Sequence, residues 1–203
     1  IAPFLDRHGQ IPLPPYLERR DTKADSVDYQ TVYSAVDGAI AAPTAGLHFT
    51  EPVLDGIRSR GVEILRLTLH VGIGTFIPLR TEDPRQHIMR PENFEIGEET
   101  ASRLRNAHDA GRRIIAVGTT TTRTLEHVVS SRGRFEAGSG KAGLYILPGY
   151  QFKAINGLLT NFHLPKSTLL MLVSAFAARE TILNAYTHAV KNRYRFYSYG
   201  DSM

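Results

Sequence analysis

Apolar runs that read as strands alternate along this chain with amphipathic runs that read as helices. Glycine, threonine, histidine and asparagine crowd the loops between them. No other feature constrains the fold as much. A buried strand needs covering elements, and a helix after each strand supplies them. The order therefore predicts an α/β fold, barrel-like, with a mainly parallel sheet. AIAAPTAGLHF (39–49) leads into the helical stretch TEPVLDGIRSRG, where Thr50 can N-cap and Val53, Leu54 and Ile57 form one stripe. VEILRLTLHVGIGTF (62–76) reads as a long strand entering a glycine loop. GEETASRLRNAHDAGR (97–112) reads as a helix with acids in its first turn, and RRIIAVG as a buried strand turning directly into the helix TTTTRTLEHVV. GLYILPG and AINGLLTNFHL supply two more strands, Ser167 caps one long helix over 168–192, and YRFYSYG ends as an aromatic strand. The loose, Gly- and Ser-rich stretch 130–143 reads as a mobile surface loop, and the proline-rich residues 1–15 as a linker to a large domain over 16–203.

Composition narrows the class. At 42% hydrophobic and 22% charged, 203 residues can bury a real core. The longest apolar run, TLLMLVSAFAA, is about half of the ~20 residues of a membrane span. No signal-peptide pattern opens the chain, and the absence of cysteine fits a reducing cytoplasm. The expectation is thus a cytoplasmic protein with no membrane contact. A net charge of +4 permits an anionic partner without demanding one.

In an α/β fold of this kind, ligands meet the loops at the carboxyl ends of the strands. That rule selects TAGLHFT, HVGIGTF, GTTTTR and TNFHLPKST. The first offers Thr44, Gly46, His48 and Thr50, and the second His70, Gly72, Gly74 and Thr75. Gly118, Thr119 and Thr120 stand where a helix N-terminus would present free N–H groups to an anion, or simply cap the helix; Arg123 follows one turn later. The missing G-K-[ST] argues against a triphosphate loop. Asn161, His163 and Lys166 bracket a proline, either as a polar turn or as a recognition loop. The tail KNRYRFYSYGD interleaves cations with aromatic rings, which suits base stacking as well as an alternating edge strand. No H-E-x-x-H or short H-x-H spacing points to a metal, and His8, His108, His127 and His188 read as ordinary.

IPLPPY, YQTVYS, AAPTAGLHFT, TLHVGIGTF, GTTTTRTLE, TNFHLPKSTLLMLVSAF and YRFYSYGD, in that order from about residue 9 to the end, resemble the signatures of the S-adenosylmethionine:tRNA ribosyltransferase-isomerase family of the queuosine pathway. Only the C-terminal part of that family's length is matched. The resemblance thus implies a large barrel-like α/β domain without its first strand or strands and without the family's inserted small β-barrel. Two positions depart from the family pattern: HIMRPE has Arg90 where the family's H-x-M-H-x-E has a second histidine, and Lys166 stands where an acid is common.

The resemblance also implies the chemistry. The ribosyl part of S-adenosylmethionine passes to 7-aminomethyl-7-deazaguanine at the tRNA wobble position, giving epoxyqueuosine and releasing adenine and methionine. S-adenosylmethionine is a co-substrate, no cofactor or metal is required, and the protein acts as a monomer. The catalytic candidates are His48, His70 and His163, with His48 or His70 as the base. Substrate contacts fall to the strand-end residues above, with His87 and Glu92 carried over from HIMRPE and Arg123 reaching a carboxylate. Arg193, Arg195, Tyr197 and Tyr199 are the tRNA-facing candidates. A catalytically silent tRNA-binding module and a hydrolase with a histidine metal centre are the alternative readings.

Overall fold

A computed structural model describes residues 7–72 and 83–203. Among them five strands are formed: β1 (Thr68–His70), β2 (Glu92–Ile96), β3 (Ile115–Val117), β4 (Gly138–Ala142) and β5 (Gly157–Leu159). Six helices accompany them: α1 (Asp25–Asp28), α2 (Glu51–Ser59), α3 (Glu98–Asp109), α4 (Thr119–Arg132), α5 (Thr168–Ala177) and α6 (Arg179–Lys191). The fold is α/β, and the expected parallel pairing is present: β3 lies parallel to β5, with Ile115 opposite Gly157 and Val117 opposite Leu159. Beside it stands a three-stranded antiparallel sheet in the order β1-β2-β4, the larger of the two among the described residues. Its central strand explains the antiparallel choice. In β2, Glu92, Phe94 and Ile96 are buried while Asn93 and Glu95 are exposed, the alternation of a sheet with one wet face.

The two sheets share one apolar core. Phe94 and Ile96 of β2, Ala101 and Leu104 of α3, Ala116 of β3 and Leu125, Val128 and Val129 of α4 pack together with Phe135. A second cluster gathers Ile146, Leu172, Val173 and Ile182 beneath α5 and α6. Burying side chains of this size stabilises by about 1.5–3 kcal/mol each. That burial fixes α4 in place, with β3 running into its N-terminus.

Several expectations are corrected. The stretch 130–143 is not a loose loop: its second half is β4, paired along its length with β2. The strand expected over 62–76 reduces, among the described residues, to β1, and its end lies outside them. No strand forms at GLYILPG or over 194–200, which is irregular and then turns; beyond it Ser202 makes an isolated bridge to Asn161. The helix expected over 168–192 breaks at Ala178, which has φ +65°, and α6 leaves α5 at 112°. An uninterrupted helix could not fold both apolar faces onto one core; the left-handed residue that turns it costs roughly 1–2 kcal/mol. Ser167 caps α5 as expected, its hydroxyl accepting from the Leu170 N–H at 3.2 Å, whereas Thr50 occupies the α2 cap position without a side-chain bond. No single helix among the described residues is long and apolar enough to cross a membrane.

Candidate active site

A cleft of about 210 Å³ opens where the strand-end loops converge. Its walls come from Pro43–Ala45, from Val117–Thr121, from Thr160–Pro165 and from Tyr197 and Ser198 of the tail, with Leu69 and Val71 on an apolar side. Three of the loop regions chosen from sequence thus meet at the cleft with the tail; of the fourth, HVGIGTF, Val71 lines the cleft and residues 73–76 lie outside the described residues.

The first wall is a short 3-10 helix, Thr44–His48, entered from Pro43. Gly46 is required at its centre. A side chain there would collide with the Tyr33 hydroxyl and come within 2.7 Å of the Thr31 methyl group. The second wall is the start of α4. Gly118, at φ +90°, turns β3 directly into the helix, and its N–H donates to the Leu159 carbonyl of β5 at 2.9 Å. No side chain caps this terminus. Thr119, Thr120 and Thr121 face the cleft at the positive end of the helix dipole, a place suited to a carboxylate or phosphate. Thr122 turns inward instead and donates to the Gly118 carbonyl at 3.1 Å.

Asn161 joins the third wall to the first. Its Oδ1 accepts from the Thr44 hydroxyl at 3.1 Å. Its Nδ2 lies 2.8 Å from His48 Nε2 and 3.3 Å from the Tyr197 carbonyl. Burial lowers the His48 pKa, against a smaller upward pull from the Asp201 carboxylate. His163 lines the cleft and is buried, with 7% of its surface exposed; burial pushes its pKa down to about 3, and Nε2 sits 3.0 Å from the Thr160 hydroxyl. An imidazole held neutral so far below physiological pH is a poor proton acceptor. Burial thus disfavours His163 as the base. The His70 ring lies against Gly38, and His70 is absent from the cleft wall although its neighbours Leu69 and Val71 belong to it. Alternation along a strand sends it to the other face.

Other expected contacts are distributed as follows. Arg123 is 4% exposed and turns away from the cleft to pair with Glu92, while its Nε and Nη1 have no hydrogen-bond partner among the described residues. Burial lowers its pKa, and Glu92 opposes that. The carboxylate-reaching role expected of Arg123 is thus replaced by a link between α4 and β2. His87 packs edge-on against Tyr145, ring centres 5.5 Å apart, outside the cleft. Thr50 is exposed, Gly72 is half-buried beyond the wall, and Gly74 and Thr75 lie outside the described residues. Lys166 is exposed at φ +54°, between wall residues Pro165 and Ser167.

In the tail, Arg193 is exposed, and Arg195 is exposed and paired with Asp201 at 3.2 Å. Tyr197 lines the cleft with its ring 4.8 Å from that of Tyr16, and the Tyr199 hydroxyl donates to the buried Asp25 carboxylate at 2.7 Å. Sequence reasoning missed Tyr16 and Ser198, which bond to each other at the cleft edge. Tyr16 closes the motif IPLPPY, the one signal that could have drawn attention to it. Among the described residues no group of three or more potential metal ligands is assembled.

The family described as Queuosine biosynthesis protein matches residues 1–203. S-adenosylmethionine:tRNA ribosyltransferase-isomerase of Syntrophotalea carbinolica is 56% identical over 203 residues, all of this chain and 59% of that protein. The protein of the same name from Geobacter metallireducens is 56% identical over 201 residues, 98% of this chain and 58% of its own length. Among solved structures, the S-adenosylmethionine tRNA ribosyltransferase of Thermotoga maritima superposes with a TM-score of 0.65 at 43% identity, covering 78% of this chain and 50% of that one. The chain therefore spans less than two thirds of the length of the curated relatives it matches. With the strand-end loops gathered at one cleft and the whole chain matched, it belongs to the queuosine biosynthesis protein family.

Proposed function

We propose that this chain carries the S-adenosylmethionine cleft of a tRNA ribosyltransferase-isomerase. In the reaction, the ribosyl group of S-adenosylmethionine is transferred to the aminomethyl group of 7-aminomethyl-7-deazaguanine at the wobble position. The ribose rearranges to an epoxycyclopentanediol, and adenine and methionine leave. The observation that carries this reading is the uncapped N-terminus of α4, with Gly118, Thr119 and Thr120 opening on a cleft that also presents Asn161 and an apolar side.

The parts of the substrate match the walls. The methionine carboxylate suits the free N–H groups and hydroxyls at the start of α4. The ribose hydroxyls suit Thr44 and Asn161, and the adenine ring suits the apolar side at Leu69 and Val71. The sulfonium acidifies the adjoining 5′ carbon, so proton transfer there begins the rearrangement, and departing adenine gains a proton. His48 is the histidine we assign to proton handling: it is half-exposed and stands behind the cleft wall, as His70 does, but it is bonded to the wall residue Asn161. The exposed Arg193 and Arg195 are offered to tRNA phosphates. The scheme calls for no resident cofactor, and tRNA as substrate puts it in the cytoplasm.

Mass spectrometry of the wobble nucleoside tests the proposal, using S-adenosylmethionine and tRNA carrying the aminomethyl base. One reaction contains this chain alone, and another contains it joined to the upstream portion its relatives possess. Epoxyqueuosine and free adenine in either reaction are the expected result. No product in both reactions, with tRNA binding retained, would favour a non-catalytic RNA-binding module instead.

A further inference from the structure

The NH₂ group of Asn161 is fully engaged within the protein, which leaves only the second lone pair of its oxygen for a ligand hydroxyl. The residue is buried, its oxygen accepts from Thr44 Oγ1, and its nitrogen has two neighbours, the Tyr197 carbonyl and His48 Nε2. A carbonyl can only accept, so the atom facing Tyr197 is the NH₂ group. That same group faces the imidazole, so His48 Nε2 must be the acceptor. The ring proton then resides on Nδ1, which has no hydrogen-bond partner among the described residues.

From this geometry we infer that Asn161 is a positioning residue that holds His48 in the Nδ1–H tautomer, which makes Nδ1–H the ring's available hydrogen-bond donor. The catalytic use of that donor rests on the function proposed above, whereas the tautomer does not. The bare Nε2 lone pair is occupied by Asn161, so acceptance of a proton there first requires the amide to let go. A protonated His48 would set an N–H against the Asn161 NH₂, a repulsive pair. Asp201, in the tail, is the carboxylate that acts on this ring.

The tail is part of the device. Ser202 bridges to Asn161, Thr160 and Met203 exchange backbone bonds at 2.9 and 2.8 Å, and the Tyr197 N–H donates to the Phe162 carbonyl at 3.1 Å. These contacts fix the carbonyl that orients the amide. A residue adjacent in space to His48, but 113 positions away in sequence, thereby decides which ring nitrogen carries the proton.

Long-range proton–nitrogen correlation of the nitrogen-labelled chain reads the His48 tautomer directly and needs no substrate. Nδ1 protonated and Nε2 bare is the expected pattern. Asn161→Asp replaces the donor by an acceptor; the ring proton should move to Nε2, and the His48 titration midpoint should rise by about 1–3 pH units. Asn161→Ala should release the ring into a mixture of both tautomers, a change that mere loosening of the loop does not produce at a pinned ring. An Nε2–H ring in the unaltered chain overturns the inference, even should the variants fail to fold. An unaltered tautomer in both folded variants does so too. Failure of the nucleoside assay alone leaves the tautomer result standing, so the two ideas fail separately.

Discussion

The first turn and the rear half of one helix treat polar groups in opposite ways. At the front of α4, Thr119, Thr120 and Thr121 and their backbone N–H groups face a cleft with no capping side chain. Two turns further on, Glu126 is completely enclosed and its carboxylate is saturated. It accepts from the N–H groups of Lys153 at 2.9 Å, Ala154 at 2.9 Å and Ile155 at 3.2 Å, and from the Tyr150 hydroxyl at 3.0 Å. Burial without partners is expensive, so a core carboxylate persists only when every lone pair is used. Groups left open at the front are tolerable because a ligand or water can reach them. The contrast separates scaffold from site without reference to any relative.

The largest expected effect lies at the rear. Glu126→Ala strands three backbone donors, and urea unfolding should show a loss of about 4 kcal/mol. A loss below about 1 kcal/mol would mean that this end is not the anchor described. Next comes acid. His163 has a folded pKa of about 3, below its ordinary value. The unfolded chain thus binds the proton first, and the contribution of neutral His163 is complete above about pH 6.5 and lost as pH falls toward 3. Near pH 4 the difference from His163→Gln should reach about 3 kcal/mol, and stability curves with parallel pH profiles would refute it.

Arg123, one helical turn behind the cleft wall, is intermediate in both position and effect. Two of its nitrogens lack hydrogen-bond partners among the described residues, so Arg123→Met should cost about 2 kcal/mol, less than is usual for breaking a buried pair. It should leave the cleft's affinity for S-adenosylmethionine within about twofold, because a change near 0.4 kcal/mol is that small. A larger loss of affinity would place the guanidinium in the site after all. The smallest effect belongs to the front: Thr119→Val should weaken binding about tenfold, worth about 1.4 kcal/mol, with the unfolding midpoint nearly unchanged. A stability loss without a binding loss would reverse the assignment of the two ends.

Much of this was legible in sequence where chemistry is local. The run IIAVG followed by four threonines announces β3, its glycine turn and α4, because an apolar run, a glycine and a threonine-rich helix start are short-range signals; the burial expected of the strand holds only at Ala116, Ile115 being 49% exposed. The Ser167 cap is legible for the same reason. GSGKA hid its strand because glycine and serine carry no β signal of their own; β2 imposes the pairing. The tail read as a strand because its rings alternate with other residues, yet those rings pack inward on Phe162 and Tyr16 through turns. The histidines were found together and could not be ranked. Their ranking depends on Asn161, Gly38 and Thr160, contacts set by the fold and, for Asn161 and Gly38, distant in sequence.

The central claim is that S-adenosylmethionine enters this cleft at the start of α4. Amide and side-chain chemical shifts of the labelled chain, followed as S-adenosylmethionine is added, test it most directly. Saturable shifts at Gly118, Thr119, Thr120 and the Asn161 amide, with Glu126 and its donors unmoved, are the result expected. Saturation with the shifts elsewhere, or no shift at the front of α4 at millimolar ligand, would contradict it.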